Sequence, residues 1–298
     1  MPKIVWLNGV ISPLETASTS VADHAHLYGD GLFEGIRIYD SKVFKLDEHL
    51  ERLYHGCRYL SFDMVHTHSE LKAIILEVCN QAAIAEGYIR LNVTRGSGLG
   101  LDPRAVTTPP NVMVMVSTLA LYKPEAYQTG LHTITCSLRV IPPDSLDPRV
   151  KCIGRYANNI LAKAEANRAG AGEGIMLNHQ GQVAEATGDN VFLIHKGVVR
   201  TPHPSCGVLL GVTRNTVIGL LRKDGYTVIE DVLTPFDVVS ADEAFLTGTA
   251  AEVIPMISID SKPIGTGEPG PVTRRAMTLF HEEIKVGTPF STHAVRGS

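Results

Sequence analysis

Apolar positions along the chain change their period several times, and the changes mark out its elements. From Ile4 to Val10, and again through "GLFEGIRIYDSKVFKL" (31–46), they follow a strand-like pattern, with turn signals at Gly29-Asp30-Gly31 and Asp40-Ser41. "DEHLERLYHGCRYL" (47–60) and "HSELKAIILEVCNQAAIAEG" (68–87) place them at helical spacing, the second with Ser69 near its start and Gly87 as a stop. The apolar runs "GYIRLNVTR" (87–95) and "NVMVMVSTLAL" (111–121) follow on either side of a loop rich in glycine and proline. A small α+β domain over residues 1–121 is expected.

The polar segment "YKPEAYQTG" (122–130) breaks the periodicity and reads as an interdomain linker. Beyond it come short strands, "HTITCSL", "GIMLN", "NVFLIHKGVVRTP", "YTVIEDVL" and "EAFLTGTAAEVIPMISID". Three helices are interspersed, "YANNILAKAEANRAG", "TRNTVIGLLRKDG" and "GPVTRRAMTLFHEEIKV". Residues 131–298 therefore read as a larger β-rich domain, and the chain as a two-domain α+β or α/β protein. The closing "STHAVRGS" (291–298) is polar and patternless and is assigned no element.

Composition narrows the class. With 298 residues and 44% hydrophobic content the chain can bury a sizeable core. A net charge of -4, with Lys and Arg scattered, offers no footprint for a phosphodiester backbone, so no nucleic-acid partner is expected. The opening "MPKIVWLNGVISPLE" lacks a basic and then apolar leader, and no apolar run is long enough to span a bilayer. A cytoplasmic protein with no membrane partner is expected. The five cysteines are widely spaced, odd in number and without a C-x-x-C pair, which fits reduced thiols.

Candidate chemistry begins at "SLDPRVKCIGRYANNILAKAEANRAG" (145–170). Lys151 follows the turn Asp147-Pro148-Arg149-Val150 and stands five positions before Tyr156, ahead of a helix expected from near Ala157. Alone, such a lysine is ordinarily a solvated loop residue. Glu185, in "GQVAEATGDNVFLI" (181–194), is alone an ordinary hairpin charge. "GVLLGVTRNTVIGLLRKDG" (207–225) runs through Gly211-Val212-Thr213 into a helix whose first N–H groups suit a phosphate; its ordinary reading is a Thr N-cap. "FLTGTAAEVIP" (245–255) is a strand interrupted by small residues, either for close approach of a ligand or as a plain β-bulge.

Together these pieces are what pyridoxal phosphate requires of a protein. Its aldehyde needs a lysine for a Schiff base, its ring nitrogen a carboxylate, and its phosphate a helix terminus with hydroxyls.

The ordered set "YGDGLFEGIRIY", "EHLERL", "GYIRLNVTRGSG", "VKCIGRYANNILAKAEA", "VAEATGDNVFLI", "LLGVTRN" and "FLTGTAAEV" resembles the class IV aminotransferases, the fold type IV pyridoxal-phosphate enzymes with the D-amino acid aminotransferase-like fold. The resemblance runs from about Trp6 to about Phe280 and is greatest to the branched-chain amino acid aminotransferases. It implies that Lys151 is the Schiff-base lysine, that Tyr156 bonds the cofactor's ring oxygen and that Glu185 pairs with the ring nitrogen. Arg52, which without the resemblance is an exposed helix arginine, matches the arginine that clamps the phosphate. Val212, Thr213 and Thr249 correspond to further phosphate contacts. Thr249 and Ala250 also correspond to backbone donors to the substrate's α-carboxylate. Tyr88 and Arg90, alternating about Ile89 on one side of a strand, match residues that hold carboxylates. Phe33 and Tyr28 match the side-chain pocket, with Tyr28 reaching a neighbouring subunit's site.

The implied activity is transamination of Leu, Ile and Val with 2-oxoglutarate, giving branched 2-oxo acids and L-glutamate by ping-pong kinetics. Lys151, displaced by the donor amine, takes the Cα proton and returns it at the cofactor's C4′. A homodimer or a higher homo-oligomer is implied as well.

Some positions depart from the family pattern. Cys152-Ile153-Gly154-Arg155 stands where small residues and an asparagine are common, and Leu91 stands where a proline often follows the arginine. The departures bear on substrate range, since D-amino acid aminotransferases, (R)-selective amine aminotransferases and aminodeoxychorismate lyases share the cofactor motifs. The Tyr88-x-Arg90 pair and "GTAAE" favour the branched-chain reading. Readings from other classes are weaker. The pairs in "DHAH" (23–26) and "HTH" (66–68) would face one way on a strand, as in some metal hydrolases, but no cysteine or carboxylate cluster completes a site, so no metal is expected. A non-catalytic phosphate-binding module would explain "GVTRN" but not Lys151 or Glu185. "RGSGLGLDPR" (95–104) is not a dinucleotide-binding fingerprint and reads as a flexible loop.

Overall fold

The structure, a computed structural model, describes residues 2–119 and 121–290. The first elements in chain order are β1 (Pro2–Leu7), β2 (Val10–Ser12), α1 (His24–Tyr28), β3 (Gly31–Tyr39), β4 (Lys42–Val43), α2 (Leu46–Tyr59), α3 (His68–Ala82), β5 (Gly87–Thr94) and β6 (Asn111–Ser117). Then come α4 (Pro124–Thr129), β7 (Leu131–Arg139), α5 (Tyr156–Arg168), β8 (Glu173–Leu177), β9 (Val183–Ala186), β10 (Asn190–His195), β11 (Val198–Pro202) and α6 (Val212–Lys223). The last are β12 (Val228–Asp231), α7 (Pro235–Val239), β13 (Glu243–Gly248), β14 (Glu252–Ile259), β15 (Lys262–Pro263), α8 (Pro271–Glu283) and β16 (Thr288–Pro289). The segment 291–298, which the sequence leaves without an element, lies outside the described residues. No helix among the described residues is long and apolar enough to cross a membrane.

The described residues divide into two units, one of residues 2–119, 150–155 and 284–290, the other of 121–149 and 156–283. The first holds an antiparallel sheet in the order β16-β4-β3-β5-β6-β1-β2. The single strand expected over Ile4 to Val10 is instead a hairpin, because Asn8 and Gly9, at φ +48° and +98°, supply the two left-handed residues of a tight turn. Alternation then sorts the residues of β5 and β6 between faces. Ile89, Leu91, Val93, Val112, Val114 and Val116 are buried, while Tyr88, Arg90, Asn92, Met113 and Met115 are half-buried on the other face. Leu46, His49, Leu50, Leu53, Gly56 and Cys57 recur at three- and four-residue spacing and make the buried side of α2. Each fully buried Leu or Ile adds about 1.5–3 kcal/mol to such a core. Thr67 caps α3 through a reciprocal box with Glu70, ahead of the expected Ser69.

The second unit holds a mixed sheet in the order β12-β11-β10-β13-β14-β7-β8-β9, with β15 paired to β14. β7 and β8 run parallel and are joined by α5, as are β11 and β12 by α6, because parallel neighbours need a long crossover. Phe192 and Phe245 face each other across β10 and β13 and stack at 4.7 Å between ring centroids.

Two further features differ from the sequence-based expectation. The segment 122–130, expected as a linker, forms α4, and Tyr122, Ala126 and Tyr127 pack against the apolar core of the second unit. Pro124 starts that helix, and Tyr127 within it and Tyr122 just before it gain burial against the core, which outweighs the polar character of the stretch. Lys151, expected in the β-rich domain, clusters with the first unit. The reason is backbone pairing: Phe33 N–H donates to the Lys151 carbonyl (3.2 Å) and Ile153 N–H to the Gly31 carbonyl (2.8 Å), so the lysine segment extends the pairing of β3.

Candidate active site

In the first unit Phe33, Tyr88, Arg90 and Lys151 gather on one face of the sheet. Phe33, Gly35 and Arg37 on β3 register with Asn92, Arg90 and Tyr88 on β5. The Arg90 guanidinium lies 3.7 Å from the centre of the Phe33 ring, and its Nε donates to Asn92 Oδ1 at 2.8 Å. Lys151 Nζ lies 4.6 Å from the same ring centre. An aromatic face is a weak electrostatic attractor for both cations. Tyr88 lies over Gly35, where a Cβ would come 2.1 Å from the tyrosine oxygen. Tyr28 ends α1, and its oxygen accepts from Gly100 N–H at 3.0 Å, which ties it to the glycine-rich loop.

Behind that face, Arg52 is held by a buried carboxylate. Its Nε and Nη2 donate to Glu34 Oε1 and Oε2 at 2.8 and 2.7 Å, a two-pronged pair. His49, one helical turn before Arg52, places Nδ1 at 2.7 Å from Glu34 Oε2. Burial raises the Glu34 carboxyl, but Arg52 and His49 outweigh it and hold it at about 2. Burial pushes His49 below its ordinary value, with the charges of Arg52 and Lys151 acting in the same sense against Glu34. Neutral His49 then donates from Nδ1 to the carboxylate. Neither Glu34 nor His49 stood out in the sequence. The signal was the three-residue spacing of His49 and Arg52 in "EHLERL", which puts both on one helix face.

In the second unit Glu185 is buried on β9 and accepts from Leu209 N–H at 2.8 Å. Tyr156 is the first residue of α5 and is half-buried. The ordinary reading of this stretch as a Thr N-cap does not hold: Gly211 occupies the N-cap of α6 and no side chain caps the helix, so Val212 and Thr213 lie within its first turn. An uncapped 12-residue helix presents N–H groups and a dipole suited to an oxyanion, and buried Thr213 adds a hydroxyl there. Thr249 and Ala250 lie not in a bulge but in the turn of the β13–β14 hairpin, which leaves with Glu252 at φ +59°. Each unit thus carries groups of the kind that pyridoxal phosphate chemistry uses: an amine and an arginine oriented by Glu34 in the first, a buried carboxylate and an uncapped helix start in the second.

The histidine pairs do not lie on strands. His24 and His26 are on α1, where two positions separate side chains by about 200°. His66 and His68 flank the N-cap Thr67. No group of three or more His, Cys, Asp or Glu able to hold a metal ion occurs among the described residues.

The family model described as amino-transferase class IV matches residues 31–259. A Methanocaldococcus jannaschii protein is 41% identical over 279 residues, 93% of this chain and 95% of its own. The branched-chain-amino-acid aminotransferase of Pseudomonas aeruginosa is 34% identical over 94% of this chain and 92% of its own. Among solved structures, the Escherichia coli branched-chain amino acid aminotransferase has a TM-score of 0.92 and 31% identity, covering 99% of this chain and 98% of that one. The branched-chain amino acid aminotransferase of Thermobaculum terrenum, solved in its PLP-form, has a TM-score of 0.86 and 30% identity, covering 95% and 94%. The relation extends through both units and all the motifs above, and the chain belongs to the class IV aminotransferase family.

Proposed function

We propose that this protein is a pyridoxal-phosphate-dependent aminotransferase that moves the amino group of L-leucine, L-isoleucine or L-valine to 2-oxoglutarate in a ping-pong cycle. The observation that carries this reading is the cluster at Phe33, where the Lys151 amine and the Arg90 guanidinium lie 4.6 and 3.7 Å from one ring centre. An amine for proton transfer and a cation for a carboxylate thus share one aromatic wall.

Bound pyridoxal phosphate supplies an aldehyde for amine exchange and an electron-withdrawing ring. Arg52 and the first N–H groups of α6, at Val212 and Thr213, hold its phosphate, with Thr249 adding a contact. Glu185 keeps the ring nitrogen protonated, and Tyr156 bonds the ring oxygen. Tyr88, Arg90 and the backbone at Thr249 and Ala250 orient the substrate carboxylates, while Phe33 and Tyr28 line the pocket for a branched side chain. Lys151 would hold the cofactor's aldehyde through its amine and, as a free amine, would serve as the base that takes the substrate's Cα proton. Assembly as a homodimer or higher homo-oligomer and a cytoplasmic location complete the reading, and size-exclusion chromatography with light scattering tests the first.

The activity is tested by the visible absorption of the cofactor-loaded protein, followed on addition of L-leucine, L-alanine, D-alanine or (R)-1-phenylethylamine. Fastest bleaching by L-leucine, lost in Lys151→Ala, is expected. Bleaching by D-alanine or the amine alone would move the substrate class, and a colourless protein that pyridoxal phosphate cannot restore would overturn the reading.

A further inference from the structure

Leu209, in the loop that enters α6, is bound at both of its peptide groups by residues of two successive strands, β9 and β10. Its N–H donates to Glu185 Oε2 at 2.8 Å, and its carbonyl accepts from Asn190 Nδ2 at 2.9 Å. Glu185 lies on β9 and Asn190 opens β10, joined by a tight connection in which Ala186 N–H donates to the Asp189 carbonyl at 2.8 Å. The other end of the Asn190 amide touches the start of the helix. A Cβ on Gly211, the N-cap of α6, would come 2.2 Å from Asn190 Oδ1. One carboxamide therefore fills the space between the Leu209 carbonyl and the helix entry. Asn190, Glu185 and Leu209 are 6%, 6% and 8% exposed, so water does not compete for these bonds.

We infer that Asn190 is a positioning residue that holds the Glu185 carboxylate and the N-terminus of α6 at one fixed separation. The inference rests on the proposed function, in which Glu185 meets the cofactor's ring nitrogen and Val212 and Thr213 meet its phosphate. Ring nitrogen and phosphate are parts of one nearly rigid molecule, so the two protein groups must match a set span. The Glu185 side chain has several rotamers. The Leu209 N–H selects one of them, and Asn190 determines where Leu209 stands. Misplacement by about 1 Å at such a site costs on the order of a hundredfold in rate.

Asn190 acts through Glu185, and this separates the inference from a purely structural role. The test is a double-mutant cycle of Asn190→Ala and Glu185→Gln. Its readouts are the half-reaction rate with L-leucine at saturating pyridoxal phosphate, the cofactor's dissociation constant and the visible spectrum of the loaded protein. Asn190→Ala is expected to slow the half-reaction roughly tenfold to a hundredfold, to change the spectrum and to weaken cofactor binding about tenfold. In the Glu185→Gln background the same change should slow the half-reaction less than about threefold, since the group it positions is already gone. Rate losses that multiply in the double variant, or a single variant with wild-type rate and spectrum, would overturn the inference and leave the proposed function standing. A Glu185→Gln variant indistinguishable from wild type would overturn both. Should Asn190→Ala not fold, Asn190→Ser enters the same cycle with the same expectations.

Discussion

Glu34 binds Arg52 along the Nε–Nη2 edge of its guanidinium, at 2.8 and 2.7 Å, from a position with no exposure to solvent. Under the proposed function, Arg52 therefore meets the cofactor's phosphate with its guanidinium already oriented by Glu34. Arg52 cannot be read as a flexible surface charge once this pair is seen.

Replacing Glu34 with Gln removes the charge that orients Arg52 while keeping its shape. A loss of about 3 kcal/mol in unfolding free energy is expected, as for other buried pairs with one partner removed. Cofactor affinity should fall about tenfold in parallel. Urea denaturation and equilibrium titration with pyridoxal phosphate check the two effects, and an unchanged midpoint would mean that the pair does not hold the fold.

Acid lability should follow the same network. The Glu34 carboxyl sits at about 2, against 4.5 in an unfolded chain, so its pairing contributes fully above pH 4.5 and is lost as pH falls toward 2. His49 is held below its ordinary 6.5, chiefly by burial, so the unfolded chain takes up its proton first and stability declines as pH drops below 6.5. Melting temperature measured against pH should show both phases, and Glu34→Gln should abolish the lower one.

Gly29 ends α1 at φ +71°, and a Cβ there would come 2.5 Å from the Gly154 Cα. Gly29→Ala meets a left-handed penalty of about 1 kcal/mol and an overpacking cost of about 1–3 kcal/mol. Since Gly154 is bonded to Gly29 by its N–H at 3.0 Å, the strain falls on the segment carrying Lys151. Borohydride trapping of pyridoxal phosphate on the lysine should become slower, and a normal trapping rate would count against this coupling.

Gly35→Ala probes substrate binding without touching a charged group. Its methyl would displace the Tyr88 hydroxyl, 2.1 Å from the Cβ position. If Tyr88 holds a substrate carboxylate, KM for L-leucine should rise about tenfold, the worth of one hydrogen bond, with cofactor affinity unchanged. Steady-state kinetics on the variant decide it.

The candidate site could be proposed from the sequence because its chemistry is carried by residue types with few alternatives. Lys151, Glu185 and the glycine-led start of α6 each had an ordinary reading alone, and their order along the chain made the pattern specific. Glu34 was not legible: in "GLFEGIRIY" it appears as one polar residue in an apolar strand, which usually signals a solvated side. It is buried because α2 brings Arg52 and His49 over it, and no local pattern encodes that approach. The histidine pairs illustrate the same dependence, since H-x-H faces one way only if the backbone is extended, and an Asp23 N-cap winds one pair into a helix.

The sequence by itself determined what depends on neighbours along the chain: the alternation of β5 and β6, the helical faces of α2 and α6, the turn at Gly29 and the chemistry available at Lys151 and Glu185. The tertiary structure alone decided what depends on distant backbone meeting. Only pairing with β3 assigns the lysine segment to the first unit, and only core packing turns the polar stretch 122–130 into a helix. The same holds for Leu209, whose peptide groups find Glu185 and Asn190 some twenty residues earlier because a buried N–H and carbonyl must be paired somewhere, and the fold decides where.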